Sequence, residues 1–317
     1  MKDARVRTAL LSAATGAVIW FVVLLAPWDS NLGLGTIEKL FLLGPLVVVP
    51  LGLQLADTAK PCLLFITAAG VVASFLSPVG LLAGLLTVPW LVVCGSVEVF
   101  GLIKLGRDFT QRRLDERKIC QATATMGLVV GGIGLLQSRW GMEPLGFHEP
   151  LVLLVAVHFH FAAFVTPLIA GEVIARMAGK GGMTKWILIV CALGGSPMLA
   201  AGYVSHVAAL RLMGAALLVA ALVIIAVWML GHLKDIQPRT AQLLLGVSAV
   251  SVVAAMIYAG VYALADFFGQ VWIAIPQMAR THGVINAIGF SVCGLLGWLL
   301  AETGSRKNLG SLTRRWQ

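Results

Sequence analysis

Three ionisable side chains share one apolar stretch, and their types allow proton transfer or metal binding. His158, His160 and Glu172 lie within residues 150–177, where Arg176 is the only other charged residue. Imidazole and carboxylate groups are costly to place in hydrocarbon, so they usually face a protein interior or a water-filled cavity. The stretch therefore predicts a functional site within a membrane, provided that other segments supply partners.

The spacing of the two histidines limits what they can do together. In a helix, side chains two positions apart point about 200° away from each other, so His158 and His160 cannot share one face. A single metal ion held by both rings is therefore disfavoured. We expect one imidazole to face a pocket and the other to hold the helix against a neighbour.

Other segments supply candidate partners. His282 and Asn286 are spaced i, i+4 and lie on one face of a helix, and Gly283 between them permits close approach. Glu38 and Asp266 provide carboxylates at predicted helix ends. The candidate catalytic residues are Glu38, His158, His160, Asp266, His282 and Asn286, and the candidate substrate-binding residues are Phe161, Phe164, Tyr262, Trp272, Arg280 and Phe290.

Composition places these residues in a membrane protein. The 317 residues are 59% hydrophobic and 12% charged, against roughly 25% charged in soluble domains. Repeated apolar runs of about 20 residues predict an all-α, polytopic helical bundle. The net charge of +9 is better explained by membrane topology than by a nucleic-acid partner. The five cysteines are scattered, without a CxxC pair, so they predict packing residues rather than disulfides or a metal centre.

Ten spanning helices in a single domain, residues 1–317, account for the apolar runs. They are predicted at 7–27, 36–56, 61–78, 80–105, 117–138, 150–177, 184–203, 207–232, 239–265 and 280–302. The third and fourth are separated only by a short turn at residues 77–80. The first is interpreted as a membrane span rather than a signal peptide, because no cleavage site is evident before residue 27.

Basic residues predict the orientation. With both termini in the cytoplasm, all but four of the 23 lysines and arginines fall on the cytoplasmic side, as the positive-inside rule requires. The exceptions are Lys39, Arg139, Arg211 and Arg280. The candidate residues then share the outer half of the bilayer, with His158 about 12 Å and His160 about 15 Å from the start of their helix. Glu98 and Glu172 instead lie near cytoplasmic helix ends and are expected to pair with Lys104 or Arg176.

Several segments together resemble the YndJ-like family of bacterial membrane proteins. They are Ile37-Glu38-Lys39-Leu40 with residues 45–52, Val157-His158-Phe159-His160-Phe161-Ala162 with residues 167–171, and Arg280-Thr281-His282-Gly283 with residues 286–290. The resemblance covers most of the chain and implies a plasma-membrane fold with a polar centre, rather than a reaction. The architecture is also loosely similar to integral-membrane terpene cyclases, from which no site residue is transferred.

The favoured hypothesis is an intramembrane enzyme that cyclises a hydrophobic, isoprenoid-like substrate by an acid-initiated reaction. Glu38 or Asp266 would be the acid, because burial in a dry pocket keeps a carboxyl proton available. The histidines would orient it or act as the final base. The aromatic residues would stabilise a carbocation, since aromatic faces attract cations. No cofactor and no metal are predicted for this reaction.

Three alternatives use the same residues differently. A proton-coupled transporter would use intramembrane histidines and carboxylates as a relay. A metal or haem protein would use His158 or His160 together with His282, supported by Asn286 or Glu38. A lipid-binding or assembly subunit would use the polar groups only to fix helix packing. The sequence leaves the oligomeric state open.

Overall fold

The computed structural model describes residues 2–26, 35–58, 61–177 and 182–313, and these are helical apart from short connections. Ten helices follow in order: α1 (Lys2–Leu25), α2 (Gly35–Leu55), α3 (Pro61–Leu76), α4 (Leu81–Thr110), α5 (Glu116–Trp140), α6 (Leu151–Arg176), α7 (Gly182–Val204), α8 (Ala208–Gly231), α9 (Arg239–Phe267) and α10, which begins at Ile275 and ends at Thr313. The end of the first predicted span, residue 27, lies outside the described residues.

Nine of these described helices are long and apolar enough to cross a membrane, which confirms a polytopic helical membrane protein. The tenth, α3, has only 16 residues. It nevertheless runs from one end of the bundle to the other. Lys104 near the end of α4 donates a hydrogen bond to the Ala56 carbonyl just after α2, whereas Gly80 before α4 bonds the Arg139 carbonyl at the opposite end.

Predicted cytoplasmic residues meet at the first of these ends. Lys118 pairs with Asp108 at 3.3 Å, and Lys185 pairs with Glu116 at 2.6 Å. These contacts join the end of α4 and the starts of α5 and α7, as the ten-helix topology requires. Which end faces the cytoplasm remains a prediction from the basic residues.

Helix α2 lies at the centre of the bundle. Between positions 37 and 56, every residue except Lys39 and Gln54 is buried. The helix contacts α1, α3, α6 and α10. Because α2 is covered on nearly all sides, its side chains cannot contact lipid. Two helices that carry candidate site residues, α6 and α10, pack against it.

Two spans contain π-helical turns. In α2 the turn at Gly44–Val48 includes Pro45, which has no N–H to donate, and the Val49 N–H bonds the Gly44 carbonyl five residues back. In α10 the π turns are Ala279–Gly283 and Ile285–Val292. Such turns are rare in proteins overall, and those that occur are often found at functional sites. His282 and Asn286 both lie in them.

Candidate functional site

His160 uses both of its ring nitrogens inside the protein. The Trp90 indole Nε1–H donates to His160 Nε2 at 3.0 Å, and Nδ1 lies 2.8 Å from the Ala156 carbonyl oxygen. An indole N–H can only donate and a carbonyl can only accept. His160 is therefore the neutral Nδ1–H tautomer, and neither nitrogen is left for a substrate or a metal.

The packing around His160 supports the same conclusion. Its side chain is fully buried, and its ring makes an edge contact with Phe41 at 5.1 Å between centroids. A Cβ atom at Gly131 would lie only 2.5 Å from His160 Nδ1, so α5 approaches the ring closely because this residue is glycine. His160 thus connects α6 to α2, α4 and α5, which is a structural role.

His158 points the other way and is exposed. Its Nδ1 lies 2.8 Å from the Leu154 carbonyl oxygen one turn earlier in α6. The carbonyl requires a proton on Nδ1, so Nε2 carries the lone pair and is the nitrogen available for chemistry. As the helical spacing predicts, the two histidines of α6 face different surroundings.

His282 is held in the same manner by a different helix. Its Nδ1 lies 2.9 Å from the Ala255 carbonyl oxygen of α9, which again leaves the lone pair on Nε2. His158 and His282 are close enough to interact electrostatically. Two backbone-anchored imidazoles, from α6 and α10, therefore lie near each other, and neither Nε2 has a hydrogen bond within the described part of the chain. We call this region the histidine cleft.

Helix α10 places an unbonded polar atom one turn beyond His282. The residues 281–286 are all partly buried, and Val284 and Ile285 among them pack against the core. Asn286 Oδ1 is buried without a hydrogen-bond partner among the described residues. Buried amide oxygens are normally bonded, so this atom is an acceptor available to a ligand or a water molecule.

Glu38 pairs with a residue that sequence reasoning did not select. Its Oε1 lies 3.8 Å from Arg139 Nη1, and both side chains are fully buried. Arg139 Nη2 also donates to the Ser74 and Ser77 carbonyls at 3.0 and 3.1 Å. The sequence did contain one indication that Arg139 is unusual, because it is one of the four basic residues that do not fall on the predicted cytoplasmic side. Arg280, a candidate substrate-binding residue, is exposed.

Asp266 likewise has an arginine partner. Arg211 Nε and Nη2 donate to its two carboxylate oxygens at 2.7 and 3.3 Å. Asp266 and Tyr262 line a cavity of about 410 Å³ at the end of the bundle that the sequence predicts to face outward. The other residues around this outer cavity are Gly146, Phe147, His148, Glu149, Pro150, Leu151, Tyr203 and Ile275.

The candidate aromatic residues differ in how deeply they are buried. Phe161, Phe164 and Phe290 are buried in the core. Trp272 is 53% exposed and stacks on Phe268 with 6.5 Å between centroids. The site therefore gathers His158, His282 and Asn286 at the cleft, with Tyr262 and Asp266 in the outer cavity, and leaves the phenylalanines to packing.

Glu172, which the sequence predicts to lie near the cytoplasm, belongs to a separate cluster of charged residues. Glu172 pairs with Arg176 at 2.7 Å, as predicted, and also with Arg117. Arg117 in turn contacts Glu302 of α10 at 2.6 Å. This cluster joins α5, α6 and α10 at the end opposite the outer cavity. Glu98 lies outside this cluster, and its Oε2 is buried without a hydrogen-bond partner among the described residues.

Comparisons with known proteins agree with the resemblance to the YndJ-like proteins. The family model described as "YndJ-like protein" matches residues 39–290. The chain is 28% identical over 197 residues to the uncharacterized membrane protein YndJ of Bacillus subtilis (strain 168), and the alignment covers 60% of this chain and 35% of that protein. The chain thus spans about a third of the length of this relative.

No solved structure is significantly similar to the chain. The looser similarity to terpene cyclases finds no support in these comparisons and stays a prediction. The region matched by the family model contains both free imidazoles, His158 and His282, together with Asn286. The chain belongs to the YndJ-like family.

Proposed function

We propose that this chain is an intramembrane enzyme that transfers protons on a hydrophobic, isoprenoid-like substrate in the histidine cleft. The observation that carries the proposal is the pair of exposed Nε2 lone pairs on His158 and His282, each fixed by an Nδ1–H bond to a backbone carbonyl. Idle imidazoles are expensive in a membrane. Two of them anchored toward one cleft are suited to a paired acid and base.

The reaction class follows from what two imidazoles can exchange. One ring, when protonated, donates its Nε2 proton to the substrate, and the other, when neutral, accepts a proton from it. The net change is an isomerisation, and a cyclisation that begins with protonation and ends with deprotonation is one form of it. General acid–base transfer of this kind contributes typically 10²–10⁴-fold to a rate.

Glu38 and Asp266 are not the proton donors in this scheme, although the sequence suggests that role for one of them. Each of them forms an ion pair with an arginine, and they keep this structural role in the proposal. The imidazolium is taken as the proton donor. Because imidazolium is too weak an acid for an isolated alkene, the substrate carries an epoxide or another basic oxygen.

The test is conversion of lipid by purified protein. Full-length chain in proteoliposomes is incubated with lipids extracted from its host, and products of unchanged mass but altered chromatographic retention are sought. We expect an isomer with wild type that is lost in His158→Ala and in His282→Ala. His232→Ala is the matched control, because His232 has the same Nδ1 contact to a carbonyl four residues earlier, at 2.9 Å, and is exposed. Conversion by His158→Ala and by His282→Ala at the level of the His232→Ala control and of wild type would refute the proposal.

Metal or haem ligation is a second candidate, favoured by one specific feature. Metal-binding histidines commonly donate their other ring N–H to a carbonyl, as His158 and His282 do. Among the described residues no group of three His, Cys, Asp or Glu side chains could hold a metal ion, so haem, which supplies its own equatorial ligands, fits this pair better. Elemental analysis and a visible spectrum of the purified protein test this candidate, and a colourless, metal-free protein that converts lipid would exclude it.

A further inference from the structure

The outer cavity and the histidine cleft are aligned along the same three helices. Leu151 of α6, Tyr262 of α9 and Ile275 of α10 line the outer cavity. Seven positions further into the bundle along each helix lie His158, the His282 anchor Ala255, and His282 itself. Seven residues of α-helix rise about 10 Å and return to nearly the same face. In α6 and α9, both regular helices, the cleft therefore lies directly below the cavity.

The cavity carries acceptors and aromatic rings. Glu149 accepts a hydrogen bond from the Leu153 N–H through Oε2 at 3.1 Å. Its Oε1 is buried without a hydrogen-bond partner among the described residues. Tyr262 supplies a ring to the same space, and so do Phe147, which stacks on His206, and Tyr203, which faces Arg211. Aromatic faces attract cations, and a buried carboxylate oxygen requires a donor.

The charges near the cavity also favour a cation. Arg139 interacts electrostatically with Glu149. Its Nη1, however, faces Glu38, so Arg139 does not form an ion pair with Glu149 alone. Asp266 is already neutralised by Arg211. No lysine or arginine lines the outer cavity in the described part of the chain. A phosphate or sulfate head group would therefore meet the Glu149 carboxylate with no lysine or arginine in the cavity lining to bind it.

From this arrangement we propose that the outer cavity binds the primary ammonium head group of an amphiphile whose chain extends into the histidine cleft. The ammonium donates a hydrogen bond to Glu149 Oε1 and lies among the aromatic rings, and the tail reaches His158 and His282 about 10 Å deeper. This inference deepens the proposed function, because it names the substrate class as an amine-bearing lipid. It also places the reacting atoms of this lipid about 10 Å from its ammonium head group.

The test is photo-crosslinking, which needs no turnover and so can fail independently of the proposed enzyme. Purified full-length protein in uncharged micelles is labelled with long-chain alkylamines that carry a diazirine either beside the head group or far along the chain. The matching alkyl sulfate and N-acetylated alkylamine serve as anionic and neutral probes. We expect the head-group diazirine to label peptides containing Tyr203 or Tyr262, and the distal one to label peptides containing His158 or His282.

Variants make the result specific. Glu149→Gln should weaken alkylamine labelling about tenfold, the equivalent of one charge-assisted contact, and leave the neutral probe unchanged. Glu143→Gln is the matched control, because Glu143 is exposed, pairs with His148 at 2.9 Å and does not line the cavity. Equal labelling by the sulfate and the amine, or no effect of Glu149→Gln, would overturn the ammonium site. Distal labelling away from both histidines would overturn the link to the cleft.

Discussion

The buried Arg139 allows the clearest quantitative prediction. Arg139→Met removes the guanidinium that faces Glu38 at 3.8 Å, two hydrogen bonds to the Ser74 and Ser77 carbonyls, and a cation–π contact with Phe75 at 4.6 Å. Breaking a buried ion pair by removing one partner costs about 3–5 kcal/mol, because the remaining charge loses the attraction that offset its burial. We therefore expect Arg139→Met to be among the most destabilising single substitutions in the bundle.

The assay is thermal unfolding of the purified chain in micelles, followed by circular dichroism. At about 2 °C of Tm per kcal/mol for a chain of this size, Arg139→Met should lower the Tm by about 6–10 °C. Arg280→Met is the control, because this arginine is exposed and surface substitutions usually change stability by less than about 0.5 kcal/mol.

A double-mutant cycle separates the ion pair from simple packing. In Glu38→Gln combined with Arg139→Met no charge of the pair remains, so we expect the double variant to lose less stability than the sum of the single variants. Strict additivity, or an Arg139→Met protein with wild-type Tm, would refute the ion-pair reasoning.

Three further predictions concern packing and topology. Gly131→Ala would place Cβ 2.5 Å from His160 Nδ1 and should cost about 1–3 kcal/mol in a thermal unfolding assay, whereas Gly95→Ala, which meets no atom within 4 Å, should not destabilise. Trp90→Phe removes the donor to His160 Nε2 and should cost about 1–3 kcal/mol in the same assay; wild-type stability would contradict a structural role for that bond. Reporter fusions within residues 141–149 should be active only outside the cytoplasm, and a cytoplasmic signal would overturn the ten-helix topology.

The helices could be predicted from the sequence because each membrane span must satisfy its backbone hydrogen bonds internally over a fixed thickness. Apolar length and the basic residues therefore carry most of the information. The short α3 was included in the prediction, and contacts at its two ends explain why 16 residues are enough to traverse this bundle. The opposite directions of His158 and His160 also follow from helical periodicity alone.

The partners could not be predicted, because they depend on how distant segments pack. Nothing in the local pattern around Glu38 indicates Arg139, which lies on α5. The same holds for Trp90, which lies on another helix, 70 positions before His160, and donates a hydrogen bond to His160 Nε2. The phenylalanines illustrate the opposite difficulty. Phe161 and Phe164 neighbour the histidines in sequence, but they pack into the core rather than beside an open space.

The most direct test of the central claim separates the roles of the three intramembrane histidines. His158→Ala, His282→Ala and His160→Ala are compared for both lipid conversion and thermal stability. We predict that the first two abolish conversion with near-wild-type Tm, and that their combination is no worse than either alone, since paired groups act as a unit. His160→Ala should instead lower the Tm. Conversion that survives loss of His158 and His282, or a His160 variant that is stable but inactive, would contradict the assignment of the histidine cleft.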